Sequence, residues 1–130
     1  MKAMILVIGD HEVVRKALRE RLELAFPAWP IIEAADEATA LALARDQRLQ
    51  ASIIDLGWLA RGWLELARHL KAARPEAQLV VWTMHDGEHY RLDAMAAGAT
   101  AYVLKQETED KLLAELRTIL LAQNGDGAAG

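Results

Sequence analysis

The chain has 130 residues, no cysteine and a formal net charge of −4 at pH 7. Its length suits one domain that buries about 65–70% of the surface of the unfolded chain, and the lack of cysteine excludes disulfides, thiolate metal sites and redox pairs. Basic residues are scattered among acids, and the N-terminal apolar run meets an acid too early for a signal peptide or a membrane span. We therefore expect a cytoplasmic protein that does not itself bind nucleic acid or membrane.

Five short β-rich runs divide the chain, and each is followed by a stretch with helical spacing. The runs are Met4–Ile8, Ile31–Ala34, Ser52–Ile54, Leu79–Trp82 and Ala101–Leu104. The first helical pattern stops before Pro27, Asp36 is the predicted N-cap of the second, and the third ends at Pro75. These punctuating residues predict three β-then-α units in the first half of the chain.

The second half continues the same alternation. The fourth helix is predicted around Glu88–Ala97 and ends at Gly98, a natural left-handed C-cap, and the fifth follows Thr108. We assign residues 1–121 to one domain and interpret residues 122–130, which are rich in glycine and alanine, as a flexible tail or a truncated linker to a missing output domain.

Strands that alternate with helices predict a parallel sheet, because parallel neighbours need crossover connections. Right-handed crossovers place the helices on both faces of such a sheet. We therefore predict a doubly wound α/β sandwich of the flavodoxin-like (βα)5 type with strand order 2-1-3-4-5. In that order, ligands bind beyond the carboxyl ends of the strands, between the first and the third.

Four polar side chains follow the predicted strands at this edge: Asp10, Asp55, Thr83 and Lys105. Each alone is ordinary, because aspartate favours turns, threonine is common in strands and lysine marks solvated ends. Together they form a specific set, since carboxylates and carbonyls suit Mg²⁺ and a carboxylate can accept a phosphoryl group beside a lysine and a hydroxyl. The set indicates phosphoryl transfer onto Asp55.

Four segments resemble the receiver domain of two-component response regulators, over about Met4 to Leu121. "ILVIGDHEVVRKAL" is similar to the opening "ILIVDDH" of that family, and "SIIDLGWLARGWLEL" to its "LLDLxMPxxxGLEL". "VVWTMHDGEHY" resembles "VLTAHDDxxY", and "AAGATAYVLK" resembles "AGAxGYLLK". The likeness is greatest to CheY-like receivers of LuxR/NarL-type regulators, which usually precede a helix-turn-helix DNA-binding domain.

The resemblance implies a signalling domain, with at most slow self-phosphorylation and self-dephosphorylation, rather than an enzyme. A sensor histidine kinase would be the phosphodonor, and phosphorylation would remodel the face of helix 4, strand 5 and helix 5, where an output domain or a second copy docks. The implied roles are the phosphoacceptor Asp55, the Mg²⁺ ligands Asp10, Asp55 and the Gly57 carbonyl, and the phosphoryl-binding and switch residues Lys105, Thr83 and Tyr102.

Four positions depart from the family pattern. Gly9 stands where the family has the first of two acids, which usually acts on the metal through water, so its loss is expected to weaken Mg²⁺ binding by roughly 10–100-fold. Leu59 replaces a proline, Trp63 follows a displaced glycine, and Met84 stands where a small residue is common. These departures favour an alternative, a degenerate receiver that acts as a phosphorylation-independent interaction or dimerisation module.

Several aromatic residues have two interpretations. Trp58 and Trp63 either cover the edge of the third helix or form a contact surface or lid over the acidic site. Trp82, inside a predicted strand, is interpreted as core, and His85 and His89 as surface loop residues rather than metal ligands. Their positions alone assign none of these residues a chemical role.

Other doubly wound proteins fit the sequence poorly. The glycine fingerprint GxGxxG and the phosphate loop GxxxxGK[ST] are both absent. A flavodoxin needs a hydroxyl-rich loop after the first strand, whereas this chain has acids there, and an aspartyl phosphatase would have a second acid two residues after Asp55, where this chain has Gly57. These sequence features exclude nucleotide binding of those two kinds and argue against hydrolysis of external substrates.

Overall fold

Five strands alternate with five helices in the computed structural model, which describes residues 3–55, 62–107 and 109–129, with side chains as far as Leu121. The strands are β1 Met4–Ile8, β2 Ile31–Ala34, β3 Leu49–Asp55, β4 Gln78–Thr83 and β5 Ala101–Leu104. The helices are α1 Glu12–Ala25, α2 Glu37–Ala44, α3 Trp63–Ala73, α4 Glu88–Ala96 and α5 Glu109–Ala129. The predicted order of elements is confirmed.

The strands form one parallel sheet in the order β2-β1-β3-β4-β5, which confirms the doubly wound flavodoxin-like fold. The order reverses at β1 and β3, which are paired with Ile8 opposite Ile54. Gly9 and Asp55, the residues after this pair, therefore lie at the same edge of the sheet. This is the edge at which a doubly wound sheet binds its ligands.

The apolar strands are buried on both faces of the sheet. Met4, Leu6 and Ile8 pack with α2, α3 and α4, whereas Ile5 and Val7 pack with α1 and α5. All five of these β1 residues are at most 5% exposed. Two core layers thus explain why β1 is continuously apolar rather than alternating, as is typical of a parallel sheet covered by helices.

The structure confirms two of the predicted helix ends. The Asp36 carboxylate accepts a hydrogen bond of 2.7 Å from the Thr39 amide at the start of α2. Gly98, just after α4, has a φ of 109°, and a methyl group there would lie 2.6 Å from Lys71 Cγ. Glycine is therefore required by both conformation and space. Thr108, the predicted start of α5, lies outside the described residues.

Three elements are longer than predicted. β4, predicted as Leu79–Trp82, spans Gln78–Thr83. β3 begins at Leu49 rather than at Ser52, because Leu49 and Ala51 are buried although the polar Gln50 lies between them. α5 continues to Ala129, so the backbone of residues 122–129 is helical where the sequence predicts a flexible tail. Glycine lowers helix stability by about 1 kcal/mol without forbidding the conformation. The domain boundary at 121 stays a prediction.

Within the described parts of the chain, no helix is long and apolar enough to span a bilayer.

Candidate functional site

The carboxyl edge of the sheet gathers the polar residues that the sequence singles out. Asp55 is the last residue of β3 and Thr83 the last of β4, while Asp10 and Lys105 follow β1 and β5 closely. Asp55 is 5% exposed and Thr83 is fully buried, whereas Asp10 lies in solvent. The topology therefore brings a buried carboxylate and a buried hydroxyl to the edge, with a second carboxylate at its rim.

Asp55 and Lys105 form an ion pair at the centre of this edge. The Lys105 ammonium donates a hydrogen bond to Asp55 Oδ1, and the two side chains are 6% and 18% exposed for Asp55 and Lys105. Removing charges from water is costly, so such a pair persists only where its geometry is good. The pairing holds a cation directly at the carboxylate that the sequence predicts to be the phosphoacceptor.

The Lys105 ammonium also faces an aromatic ring. Its Nζ lies 4.7 Å from the centre of the Trp82 ring, within the range of a cation–π contact. Trp82 stands opposite Asp55 in the β3–β4 register and is 7% exposed. The core assignment from the sequence is therefore correct, but sequence reasoning missed the contact with Lys105 because it depends on side-chain conformation.

Gly9 lies directly against the Asp55 side chain. A methyl group at Gly9 would lie 3.3 Å from Asp55 Cβ and 3.8 Å from its Oδ2. The backbone of this loop is held by Arg15, whose Nη1 donates a 2.6 Å hydrogen bond to the Gly9 carbonyl and whose Nε bonds Glu33 at 2.7 Å. No sequence pattern reveals this role of Arg15, because its partners lie on two other elements.

The described residues offer oxygen ligands suited to Mg²⁺. Asp10 and Asp55 are hard carboxylate donors at the same edge, which is the ligand type that Mg²⁺ prefers together with carbonyls and water. No three histidine, aspartate or glutamate side chains cluster as metal ligands within residues 3–55, 62–107 and 109–129. The predicted third ligand, the Gly57 carbonyl, lies outside the described residues. The donors present fit a site of two carboxylates completed by carbonyl and water oxygens.

Thr83 and Tyr102 meet at the backbone of His85. The Thr83 hydroxyl accepts a 3.1 Å hydrogen bond from the His85 amide, and the Tyr102 hydroxyl donates one of 2.6 Å to the His85 carbonyl. Burial raises the pKa of the Tyr102 phenol, while a hydrogen bond with the Thr83 side chain opposes that increase. The two predicted switch residues are therefore coupled through the loop that follows β4.

The remaining atypical residues lie in different environments. Trp63 is 7% exposed and packs in the core layer of α2 and α3, which supports its interpretation as a packing residue rather than a lid. Met84 is 62% exposed beside the site. Trp58 and Leu59 lie outside the described residues.

The two candidate histidines are surface residues, as expected. Both are exposed, and their rings pack against Tyr90 in a tilted arrangement, with ring centres 5.2 Å away for His85 and 4.0 Å for His89. This contact gives them a packing partner at the start of α4, consistent with a surface loop.

The chain matches a known protein family over most of its length. The family model of the response regulator receiver domain matches residues 5–117. The chain belongs to this family. Receiver domains are signalling domains rather than classical enzymes.

Relatives of this receiver domain are response regulators. Response regulator MprA from Mycolicibacterium vanbaalenii is 31% identical over 130 residues, which cover 100% of this chain and 55% of that protein. The receiver domain thus spans about half the length of the curated relatives it matches.

Solved structures of response regulators share the fold of this receiver domain. A LuxR-family regulator from Aurantimonas sp. SI85-9A1 has a TM-score of 0.82 at 31% identity, covering 94% of this chain and 87% of that one. A response regulator from Burkholderia pseudomallei, solved with a phosphorylated aspartic acid, calcium ion and citrate, has a TM-score of 0.78 at 25% identity, covering 99% and 75%.

The face of the receiver domain formed by α4, β5 and α5 carries a shallow groove. The groove residues have charges of both signs and are Asp86, Gly87, Glu88, Arg91, Tyr102, Leu104, Glu107 and Lys111. Tyr102 thus joins the site to this face. On α4, Leu92 and Met95 are 59% and 41% exposed, so apolar surface adjoins the charged groove.

Proposed function

We propose that this receiver domain acts in the cytoplasm and accepts a phosphoryl group on Asp55 from a sensor histidine kinase, in the presence of Mg²⁺. The single observation that carries the proposal is the ion pair of Asp55 and Lys105 at the carboxyl edge of the sheet. Such a pair suits phosphoryl transfer, since it combines a carboxylate that can act as a nucleophile with a cation for the transferred group. The exposed Asp10 beside it supplies a second oxygen ligand for a metal.

The proposed step is an in-line displacement at phosphorus. A carboxylate oxygen of Asp55 forms a bond to the phosphorus atom while the bond to the imidazole nitrogen of the donor breaks, and the electron pair of that bond stays with the leaving imidazole. Mg²⁺, when bound, neutralises charge on the phosphoryl oxygens. Lys105 changes partner from the carboxylate to a phosphoryl oxygen, so no new cation has to be brought to the site.

The phosphoryl group is proposed to act on the outer face through Thr83 and Tyr102. If the Thr83 hydroxyl moves to donate a hydrogen bond to a phosphoryl oxygen, it leaves the His85 amide, from which it now accepts one. The Tyr102 hydroxyl, bonded to the carbonyl of the same residue, then responds to the moved loop. A changed α4–β5–α5 face is the proposed output, read by a second copy or by a DNA-binding output domain.

The similar regulator from Burkholderia pseudomallei supports this chemistry, since its structure holds a phosphorylated aspartic acid and a divalent cation. The match to that protein covers 99% of this chain. We therefore expect the same modification on Asp55 of this receiver domain.

Incubation with acetyl phosphate and Mg²⁺ tests the proposal directly. Intact-mass measurement should detect one added phosphoryl group, since acetate is a good leaving group and needs no kinase. The Asp55→Asn variant should lose the addition, whereas the control Asp93→Asn, at an exposed position on α4, should keep it. Labelling that persists in Asp55→Asn would contradict the assignment of Asp55 as the phosphoacceptor.

The alternative is a phosphorylation-independent interaction module, and Gly9 is the observation that favours it. With Gly9 in place of an acid, the site lacks the carboxylate that in this family usually acts on Mg²⁺ through water, and metal binding is expected to be weaker. Such a module would bind its partner equally well with and without the phosphoryl group. Full Mg²⁺-dependent labelling of Asp55, together with a changed dimer equilibrium, would contradict this alternative.

A further inference from the structure

We propose that Trp82 is a positioning residue that holds the Lys105 ammonium at Asp55 and compensates for the acid that is missing at Gly9. This inference rests on the proposed phosphorylation of Asp55 and adds to it a residue outside the motifs that define the site. Its basis is the position of Lys105 Nζ, which is bonded to Asp55 Oδ1 and lies 4.7 Å from the centre of the Trp82 ring.

Two restraints fix Lys105 better than one. The lysine side chain is a flexible four-carbon stem that ends in a compact charge, so a single ion pair leaves it many conformations. The ring lies on the protein side of the ammonium, because Trp82 is in the α1–α5 core layer beneath the site. Carboxylate and ring together therefore define one position for the ammonium.

Packing alone does not explain a tryptophan at this position. The Trp82 Nε1 atom is buried and has no hydrogen-bond partner among the described residues. A buried N–H group without a partner lowers stability, and phenylalanine would fill apolar space without that group. Tryptophan is, however, the side chain with the strongest attraction for a cation over its face. The contact with Lys105 gives the indole a role that a smaller apolar residue would not have.

The ring attracts the ammonium without adding charge to the site. An acid at position 9 would offer Lys105 a second carboxylate, because a methyl group at Gly9 would already lie 3.3 Å from Asp55 Cβ. In this chain the negative face of the Trp82 ring supplies that second attraction instead. The ring contact uses no oxygen of Asp55, so it is compatible with the transfer of Lys105 from the carboxylate to a phosphoryl oxygen.

Proton NMR of the unphosphorylated chain tests the position of Lys105. Protons above an aromatic face are shielded, so the Lys105 Hε resonances should lie upfield of those of the exposed Lys16 and Lys111. The shift should persist in Trp82→Phe and vanish in Trp82→Leu. Lys105 Hε chemical shifts equal to those of exposed lysines would overturn the proposal. This measurement uses the unsubstituted chain, so it does not depend on the folding of any variant.

The rate of labelling by acetyl phosphate tests the consequence. Loss of the ring in Trp82→Leu should slow labelling by about 3–10-fold, the range of a partly desolvated cation–π contact, while Trp82→Phe, which keeps a weaker aromatic face, should slow it less than Trp82→Leu does. Phe26→Leu is the matched control, because Phe26 belongs to the same core layer and is not among the residues of the site. Equal slowing in Phe26→Leu and Trp82→Leu would overturn the positioning role.

The dependence on Trp82 should weaken when the acid is restored. In a Gly9→Asp background, Lys105 has a second carboxylate, so Trp82→Leu should slow labelling by less than about half of its effect in the natural chain. The same factor in both backgrounds would contradict compensation. If the chain is never labelled, the proposed function fails while the NMR shifts still decide the position of Lys105. If labelling is normal and the shifts are ordinary, only the inference about Trp82 fails.

Discussion

Gly9 and Asp10 occupy the loop where the family has two acids, and the structure gives this difference a location. Gly9 faces Asp55, whereas Asp10 points to solvent at the rim of the site. An acid at position 9 would therefore add its charge beside Asp55 rather than at the outer edge. At the residue scale, one missing side chain separates a site with two acids from one with three.

Restoring that acid should strengthen Mg²⁺ binding. We expect Gly9→Asp to raise the affinity by about 10–100-fold, the usual effect of gaining a ligand's supporting carboxylate. The close approach to Asp55 Cβ, 3.3 Å from an added methyl group, requires a shift of a few tenths of an ångström. Isothermal titration with Mg²⁺ measures the change. Gly9→Asn is the control, since it has nearly the same shape without the charge, and an equal gain in Gly9→Asn would refute the electrostatic explanation.

At the element scale, the sequence predicts most of the fold because apolar runs, caps and prolines act locally. β1, β2 and β5 have the predicted bounds. Asp36 lies at the start of α2 and Gly98 just after the end of α4, as expected. β3 begins earlier than predicted, because its pairing with β1 continues to Leu49 across a register shift at Gln50. Pairing is a tertiary effect, and local periodicity does not report it.

The position of Asp55, Thr83 and Lys105 at one edge of the sheet was predictable from the sequence, but their side-chain contacts were not. The topology alone places Asp55 and Lys105 at one edge, since parallel strands end together. The ring of Trp82 beneath Lys105 and the guanidinium of Arg15 on the Gly9 carbonyl depend on side-chain conformations across separate elements. Such contacts leave no periodic signal in one sequence.

Arg15 connects three elements and should matter for stability. Its guanidinium joins α1 to the Gly9 carbonyl after β1 and to Glu33 on β2, and the side chains of Arg15 and Glu33 are only 11% and 14% exposed. Arg15→Met should lower the free energy of unfolding by about 1–3 kcal/mol, because two acceptors lose a charged donor. Glu33 keeps its bond to Arg19, which limits the loss.

Urea denaturation of two variants checks this prediction. Lys16→Met is the matched control, since Lys16 is the next residue of α1 and its 3.4 Å pair with Glu12 is mostly in solvent. Exposed pairs contribute about 0–1 kcal/mol, so the control should lie near the unsubstituted chain. The bridging role of Arg15 is refuted if both variants unfold at the same urea concentration.

At the scale of the whole molecule, α4 is the helix with the weakest anchor. Ala94 is its one buried residue, whereas α3 buries Trp63, Leu66, Ala67 and Leu70. An element with few buried apolar contacts moves at low cost in free energy. Because the loop before α4 carries His85, to which both Thr83 and Tyr102 are bonded, a change at Asp55 has a short route to this helix.

The exposed apolar surface of α4 suggests where a second copy would dock. Met95 is 41% exposed on α4 and lies one helical turn after Arg91, which lines the groove with Tyr102. Leu24, on α1, is more exposed at 79% but belongs to a different helix. The two residues therefore allow a matched comparison between the proposed interface and another apolar surface.

Self-association after activation should depend on Met95 and not on Leu24. With beryllofluoride and Mg²⁺ as a stable substitute for the phosphoryl group, sedimentation should show a shift toward dimer. Met95→Asp should weaken that dimer by at least about tenfold, equivalent to about 1.4 kcal/mol, because burying an unpaired carboxylate at an interface costs more than this. Leu24→Asp should leave the dimer unchanged. A dimer equally weakened by both substitutions would contradict an interface at Met95. An activated chain that stays monomeric would refute self-association through this face.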